Sequence, residues 1–314
     1  MVVIRLLASR LIAFAAVALI FAPAEVSART DPTITGSFSS PTALASLQRR
    51  LMRLANAVPG AIALSVVDLR RGTTFNINGD DDLPAASTIK IPVMVEVLRQ
   101  VTVGKFSLGR TVSLQNRDRD WGYGSLCDAP SGRPYSVRDL LWLMITRSDN
   151  TATNMLIRLV GRHRINQTMI DLGLDQTRLG DIIHSDGDVR ELRTSANDMM
   201  HLLSMIAQRR VINAGACDFM LEMMLAQRHN TLLPVGLPKD VPIAHKTGTL
   251  HDTLNDVGVV ELDGSPYIIC VLTTHLRDLD FGERFIRQAS RLTFRSFLGL
   301  LSAEGVDGDG SQRQ

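Results

Sequence analysis

The chain has 314 residues, a hydrophobic fraction of 45% and a formal net charge of +2, which is the balance of an ordinary globular protein. The near-neutral charge and the lack of any Lys or Arg run exclude a nucleic-acid-binding stripe. An aromatic fraction of 5% argues against stacking on bases, so we expect no nucleic-acid partner.

The first residues are typical of an export signal. Two arginines precede an apolar run over 11–21, and small residues at 26–28 suit cleavage after Ala28. The run is short for a transmembrane helix, and an uncleaved anchor is the open alternative. No second run of about twenty apolar residues follows. We therefore expect a signal peptide over 1–28 and a flexible lead-in over 29–43. The mature protein should be periplasmic or secreted, with no stable membrane span.

Strand patterns occur at both ends of the chain. The early predicted elements are a helix over 44–57 and a hairpin of strands over 61–67 and 73–77. The late predicted elements are strands over 243–249, 256–262 and 266–274, a turn at Asp263-Gly264 and a helix over 282–301.

Helical periodicity dominates the middle of the chain. The predicted helices there cover 87–101, 138–146, 151–159, 165–172 and 195–206. The sequence therefore predicts an α/β (α+β) fold, in which an antiparallel sheet is built from both chain ends, flanked by helices, with an inserted helical lobe. We expect the domain to cover 44–302, with a sheet lobe over about 44–84 and 240–302, a helical lobe over about 85–239 and a disordered tail over 303–314.

The cysteines are odd in number and far apart: Cys127, Cys217 and Cys270. One pair could join in an oxidising compartment, and the sequence does not say which. Buried thiols are the favoured interpretation. Because no Cys-x-x-Cys or His-x-x-x-His spacing occurs, we expect no metal site, and we expect no cofactor.

Three short motifs occur once each, in this order: Ser87-x-x-Lys90, Ser148-Asp149-Asn150 and Lys246-Thr247-Gly248. By average composition, fewer than about one chain in a hundred would contain all three by chance. The chain has four lysines and thirty arginines, and two of the four lysines lie in these motifs. Because an ammonium group can lose its proton in a protein whereas a guanidinium group cannot, the pattern points to proton transfer.

The residue types explain the chemistry. Positions i and i+3 share a helix face, so Lys90 can reach the hydroxyl of Ser87. A serine hydroxyl needs an adjacent base to act as a nucleophile, and Lys90 can be that base if its proton is lost to the field of Lys246. Ser148 can relay a proton to a leaving nitrogen. Asn150 can both donate to and accept from a substrate peptide group.

With these motifs the chain resembles the penicillin-recognising serine hydrolases, and most closely the class A β-lactamases. The resemblance covers roughly 44–300 and includes the stretches RSDNTATNML and HKTGT. Gly248 is expected to let a substrate approach the strand edge. The resemblance implies these roles: Ser87 as acylated nucleophile, Lys90 as proton acceptor, Ser148 as relay, Asn150 as substrate ligand, Lys246 and Thr247 on the substrate carboxylate, and the N–H groups of Ser87 and Thr249 as oxyanion hole.

One loop departs from the family pattern. Class A β-lactamases carry a Glu-x-x-x-Asn motif there, which places the base that activates water to break the acyl-enzyme. The segment GDIIHSDGDVRELR, residues 180–193, lacks it. The candidate replacements are Asp181, His184, Asp186 and Glu191. The family's arginine on the strand after the third motif also has no counterpart, and Asn255-Asp256 lies in that region.

We therefore expect a serine hydrolase of the β-lactamase type that opens β-lactam amides through an acyl-Ser87 intermediate. Two alternatives remain open: a penicillin-binding D,D-peptidase-like cell-wall hydrolase with slow deacylation, and a non-catalytic penicillin- or peptidoglycan-binding sensor. The expected partner is a small molecule, either a β-lactam or a peptidoglycan stem peptide. The oligomeric state stays open.

Overall fold

The computed structural model describes residues 41–185, 191–262 and 264–309. The predicted signal peptide and most of the lead-in, residues 1–40, lie outside them. The helices are α1 (Pro41–Asn56), α2 (Lys90–Thr102), α3 (Val137–Thr146), α4 (Asn150–Val160), α5 (Arg162–Asp171), α6 (Ala196–Ala207), α7 (Ala214–Leu225) and α8 (Leu279–Asp309). The strands are β1 (Ala61–Asp68), β2 (Thr74–Ile77), β3 (Leu83–Pro84), β4 (Thr111–Ser113), β5 (Pro134–Ser136), β6 (Arg178–Leu179), β7 (Leu192–Thr194), β8 (Ile243–Thr249), β9 (Leu254–Val260) and β10 (Tyr267–Thr274).

The main sheet joins the two ends of the chain. Its strand order is β2-β1-β10-β9-β8, and every neighbouring pair is antiparallel. In the central pair, Ala61 of β1 lies opposite Thr274 of β10, and Asp68 lies opposite Tyr267. The predicted fold class is thus confirmed. Asp263 of the predicted β9–β10 turn lies outside the described residues.

Both faces of this sheet are covered. Alternate residues of a strand point to opposite faces, and Leu64 of β1 packs in one core with Leu51 of α1 and Phe285 of α8. Its neighbour Ala63 belongs to a second core, which contains the helical part of the chain between β2 and β8. The sheet therefore separates a layer formed by α1 and α8 from the helical lobe.

Helix α2 runs through the middle of the helical lobe. It is buried on nearly all sides, so its polar groups need internal partners. Glu96, fully buried, accepts hydrogen bonds from Arg99, Gln100 and Thr168. This packing makes α2 a fixed support for Lys90, its first residue.

Several element boundaries differ from the predicted ones. Helix α2 begins at Lys90 rather than Ser87, because a 3-10 turn, Ala86–Ile89, precedes it. Helix α1 already starts at Pro41, inside the predicted lead-in. Helix α8 continues to Asp309, past its predicted end and through part of the segment predicted as tail. Helix α7 and the short strands β3 to β7 were not predicted.

All three cysteines are buried free thiols. None of the described helices combines the length and apolarity needed to cross a membrane.

Candidate active site

Ser87 sits in a backbone turn just before α2. The preceding residue, Ala86, has φ = 47°, a left-handed value that is uncommon for a side chain other than glycine and marks a strained position. Thr88 holds the turn by donating its N–H and its hydroxyl to the Ala85 carbonyl, at 3.1 and 2.7 Å. As a result Ser87 remains half-buried and lines a cleft, while its neighbours are in the core.

Lys90 is completely buried below Ser87. Its Nζ lies 2.7 Å from the Ser148 carbonyl oxygen, 2.6 Å from Asn150 Oδ1, and 3.1 Å from both Ser87 Oγ and Ser148 Oγ. Burial lowers the pKa of Lys90 well below its ordinary value, with a further lowering from Lys246 and an opposing effect of Asp149 and Asp120. Burial is therefore the larger cause, ahead of the second cation invoked from the sequence.

The hydrogen-bond partners of Lys90 show where its lone pair points when the amine is neutral. A neutral amine has two N–H donors and one lone pair. The Ser148 carbonyl and Asn150 Oδ1 are the closest acceptors, and they take both protons. The lone pair is then left for the two hydroxyls at 3.1 Å, those of Ser87 and Ser148. This is the geometry of a general base next to a nucleophile.

Ser148 lies between the two motif lysines. Its Oγ is 3.1 Å from Lys90 Nζ and 3.1 Å from Lys246 Nζ, in a backbone conformation with φ = 56°. The following Asp149 begins α4 by accepting the Ala152 N–H, and it also accepts the N–H groups of Ser125 and Leu126. The Ser-Asp-Asn motif is therefore held from both sides, with its hydroxyl in position to pass a proton.

Lys246 is fully buried on β8. Besides Ser148 it donates to the Thr247 carbonyl at 2.9 Å. Burial lowers its pKa to about 7, against an opposing effect of Asp256. The two lysines thus share one hydroxyl, and Lys246 changes its charge near neutral pH.

Gly248 brings β8 against the Ser87 turn. A Cβ at this position would lie 2.9 Å from the Ala86 Cβ, 3.0 Å from the Ser87 nitrogen and 3.1 Å from the Ala85 oxygen. The expected reason for this glycine was the approach of a substrate. The structure gives a different one: the space is taken by the turn that carries Ser87.

The cleft has a volume of about 330 Å³. The predicted site residues that line it are Ser87, Asn150 and Thr249, and three candidate deacylation bases line it as well, Asp181, His184 and Glu191. The fourth candidate, Asp186, lies outside the described residues. Tyr123 forms part of the wall and makes an edge-to-face contact with His229 at 5.4 Å.

The loop wall of the cleft contains two adjacent isoleucines. Ile182 and Ile183 line it, and Ile183 is only 7% exposed. Asn154 of α4 holds Ile183 by both backbone groups: it accepts from the N–H at 2.7 Å and donates to the carbonyl at 2.9 Å. An aliphatic side chain is therefore fixed where it faces the nucleophile's cleft.

Sequence reasoning did not single out Asp120, which is 4% exposed. One of its oxygens accepts Asn150 Nδ2 at 2.7 Å and the Gly122 N–H at 3.0 Å. The other accepts the N–H and hydroxyl of Ser185, at 2.7 and 2.9 Å. Burial acts to raise the pKa of Asp120, but the bonds from Asn150, Ser185 and Gly122 outweigh it, and the pKa is lowered. The group is a carboxylate.

A buried polar group supports β8 from behind. His245 Nδ1 lies 2.9 Å from Asp256 Oδ1, and its Nε2 lies 2.9 Å from Asn230 Oδ1. Asn255, in the region where the family arginine has no counterpart, is also buried and donates to the carbonyls of Pro84 and Ala85 at 2.9 and 3.2 Å. It anchors the approach to Ser87 and does not face a ligand.

Comparison with known proteins identifies the family of this chain. Residues 46–297 match the family model of the β-lactamase enzyme family. β-Lactamase VEB-1 of Pseudomonas aeruginosa is 21% identical, over 81% of this chain and 91% of that protein. Among solved structures, PBP-A is 31% identical with a TM-score of 0.77, over 82% of this chain and 97% of that one, and one of its variants is solved as an acyl-enzyme with penicillin G. A β-lactamase from Sphaerobacter thermophilus is 29% identical with a TM-score of 0.75, over 81% and 98%.

Proposed function

Since this chain belongs to the β-lactamase enzyme family and is a β-lactamase-like serine hydrolase, we propose that it opens β-lactam amides through an acyl-Ser87 intermediate. One observation carries the proposal: the buried Lys90 Nζ lies 3.1 Å from the half-buried Ser87 Oγ. An amine held there without its proton makes the hydroxyl nucleophilic.

The acylation step follows from these contacts. Ser87 Oγ attacks the lactam carbonyl carbon and gives its proton to Lys90. The N–H groups of Ser87 and Thr249 stabilise the resulting oxyanion. As the carbon–nitrogen bond breaks, Ser148 gives its proton to the lactam nitrogen and regains one from Lys90, 3.1 Å away. The net result is transfer of one proton from the nucleophile to the leaving nitrogen.

Substrate placement uses the rest of the motifs. Asn150 lines the cleft, and its second Nδ2 hydrogen is available for the carbonyl of the substrate side chain. Lys246 and Thr247 hold the substrate carboxylate. Because this anion favours the protonated ammonium form, its binding raises the pKa of Lys246 from about 7.

The rate at which the acyl group is released distinguishes two candidate functions. Asp181, His184 and Glu191 line the cleft and are the candidate bases for the attacking water. However, Ile182 and Ile183 occupy the same wall, and Asn154 fixes Ile183 there. The two isoleucines favour slow deacylation, so the second candidate is a penicillin-binding, D,D-peptidase-like hydrolase acting on peptidoglycan stem peptides. PBP-A, whose variant is known as an acyl-enzyme with penicillin G, supports the same alternative.

We also propose that the protein is exported to the periplasm or secreted. The support is the charged start, the apolar run and the small residues before Ala28. N-terminal sequencing of protein recovered from the extracytoplasmic fraction tests this. A chain found only in the cytoplasm with its first residues intact would contradict it.

Timing of the acyl adduct tests the main proposal. The purified protein is mixed with a fluorescent penicillin, and the adduct is followed by gel and by intact mass. Fast labelling with loss in seconds indicates a β-lactamase, whereas long-lived labelling indicates the peptidase-like enzyme. Ser87→Ala should abolish labelling, while Ser185→Ala, which removes another hydroxyl of the same cleft, should keep it. No labelling of the wild-type protein would reject the proposal and leave a binding module.

A further inference from the structure

Asp120 is a buried carboxylate with four neutral donors. Asn150 Nδ2 and the Gly122 N–H bind Oδ1, and the N–H and hydroxyl of Ser185 bind Oδ2. Asp120 does not itself line the cleft around Ser87, but three of its partners, Gly122, Asn150 and Ser185, do. It therefore lies at the junction between the second motif and the loop wall.

The charge of Asp120 determines which way the Asn150 amide faces. A carboxylate only accepts hydrogen bonds, so the group 2.7 Å from it must be the NH₂ of Asn150. The amide oxygen then faces Lys90 Nζ at 2.6 Å. A flipped amide would place the Asn150 oxygen 2.7 Å from the Asp120 oxygen. It would also place the Asn150 NH₂ group against the Lys90 nitrogen. Asp120 thus removes one of the two amide orientations.

The orientation of Asn150 in turn determines where the Lys90 lone pair points. With Asn150 Oδ1 and the Ser148 carbonyl both accepting, the two N–H bonds of neutral Lys90 are used. The lone pair then faces the hydroxyls of Ser87 and Ser148, both 3.1 Å from Nζ. If the amide flipped, its NH₂ would donate to that lone pair, and the base would be occupied.

We propose that Asp120 is a positioning residue for acylation, which locks the Asn150 amide so that Lys90 presents its lone pair to Ser87. Through its second oxygen it also ties Ser185, and with it the loop wall, to the same set of hydrogen bonds. This role rests on the acyl-Ser87 function proposed above, and it assigns to a loop residue outside the three motifs a part in setting the base.

The test is Asp120→Asn, which keeps the shape and removes the charge. The substituted side chain presents either an oxygen or an NH₂ to Asn150, so the amide orientation is no longer fixed. We expect the acylation rate constant to fall by about tenfold to a hundredfold, since misplaced reacting groups cost that much. The dissociation constant of the first complex should change less than the rate constant.

The pH profile separates positioning from general damage. The charged groups that face Lys90 are Lys246 of β8, Asp149 ahead of α4, and Asp120. Acylation requires neutral Lys90, so its rate rises with pH as Lys90 loses its proton. Asp120 raises the pKa of Lys90; removal of its charge lowers that pKa, and the rising limb should move to lower pH. A residue that only stabilises the fold would leave the limb in place.

A second variant serves as the control. Asp118→Asn changes another buried carboxylate on the same loop, which pairs with Arg158. It should lower the melting temperature without moving the pH limb. If Asp120→Asn folds and reacts at the wild-type rate with an unmoved limb, the proposal is wrong. The same shift in Asp118→Asn would also overturn it.

A measurement on the free protein, which needs no substrate, tests the positioning role of Asp120 independently of the proposed function. In the free wild-type protein, the Asn150 side-chain N–H that binds the carboxylate should be protected from exchange in NMR. Asp120→Asn should lower that protection, whereas Asp118→Asn should not. Wild-type protection in Asp120→Asn overturns the positioning role. Failure of the wild-type protein to be acylated rejects the proposed function alone.

Discussion

Replacement of Gly248 by Ala tests the tight contact between β8 and the turn that carries Ser87. The new Cβ would meet the Ala86 Cβ at 2.9 Å, the Ser87 nitrogen at 3.0 Å and the Ala85 oxygen at 3.1 Å. All three are backbone atoms or a β-carbon, so no side-chain rotation relieves the clash. The turn is additionally fixed by the Asn255 side chain on the carbonyls of Pro84 and Ala85.

The size of the effect follows from these distances. Carbon contacts are comfortable at about 3.5–4.0 Å, so strand and turn must separate by roughly 0.5–1 Å. Overpacking of this kind costs about 1–3 kcal/mol of the free energy of unfolding. The displaced atoms include the Ser87 N–H, assigned to the oxyanion hole, and a misplacement of about 1 Å can slow a reaction by roughly a hundredfold. We expect acylation slowed by about tenfold to a hundredfold, with a melting temperature lower by several degrees.

Stopped-flow acylation by a chromogenic β-lactam and thermal unfolding measure both effects. The matched control is Gly258→Ala on β9, whose Cβ would lie 2.9 Å from the His245 Cβ and 3.1 Å from the Ala244 oxygen. It overpacks the same pair of strands without touching the Ser87 turn, so it should lose stability and keep most of its acylation rate. Wild-type rate and stability in Gly248→Ala would refute the reasoning, and so would an equal loss of rate in both variants.

Three further outcomes are expected. Lys90→Arg keeps the positive charge, but an arginine cannot act as a base. The acylation rate should fall by at least about a hundredfold. A wild-type rate in the same stopped-flow assay would contradict the role of Lys90 as the base. Ile183→Glu places a carboxylate on the cleft wall, at a position where Asn154 holds the backbone. A chase of bound fluorescent penicillin should then show an acyl-enzyme lifetime shortened by about tenfold or more. An unchanged lifetime would mean that a side chain at this position does not reach the ester. Since the pKa of Lys246 is about 7, the side chain loses its positive charge as pH rises. The KM for a carboxylate-bearing β-lactam should therefore increase by about tenfold from about pH 6 to about pH 8, whereas the KM for the corresponding methyl ester should not change. Parallel pH curves for acid and ester would exclude Lys246 as the carboxylate contact.

The motifs predicted which side chains lie close together, because their information is local. The i, i+3 spacing places Lys90 under Ser87, and the Ser-Asp-Asn motif spans the start of α4, with Asp149 as its cap. The strands of the main sheet were also close to prediction, since their apolar runs are long. Helix α7 was missed because its apolar residues do not mark the buried face: Met220, Met223 and Met224 are buried, yet Leu225 is exposed.

Other parts of the site depend on contacts between distant segments. Asp120 binds residues 30 and 65 positions away in the chain, and an isolated aspartate in a loop carries no sign of this. Gly248 was predicted to matter, but its true neighbour, the turn at Ala86, is visible only in the folded chain. The pKa of Lys90 depends first on burial, which the sequence pattern around it did not show. Tertiary packing therefore decides what the motifs leave undetermined.

The long sequence separation of the contacts around Ser87 has a consequence for biogenesis. The segment that carries the nucleophile is tied by Asn255 to Pro84, 171 positions earlier in the chain, and the strand that bears Asn255 is itself held by β10. Contacts of such long sequence separation form slowly, and here they cannot form before nearly the whole polypeptide has been made. A nascent or truncated chain would therefore be inert toward penicillin, and covalent tagging by a β-lactam would count only molecules that have completed their maturation.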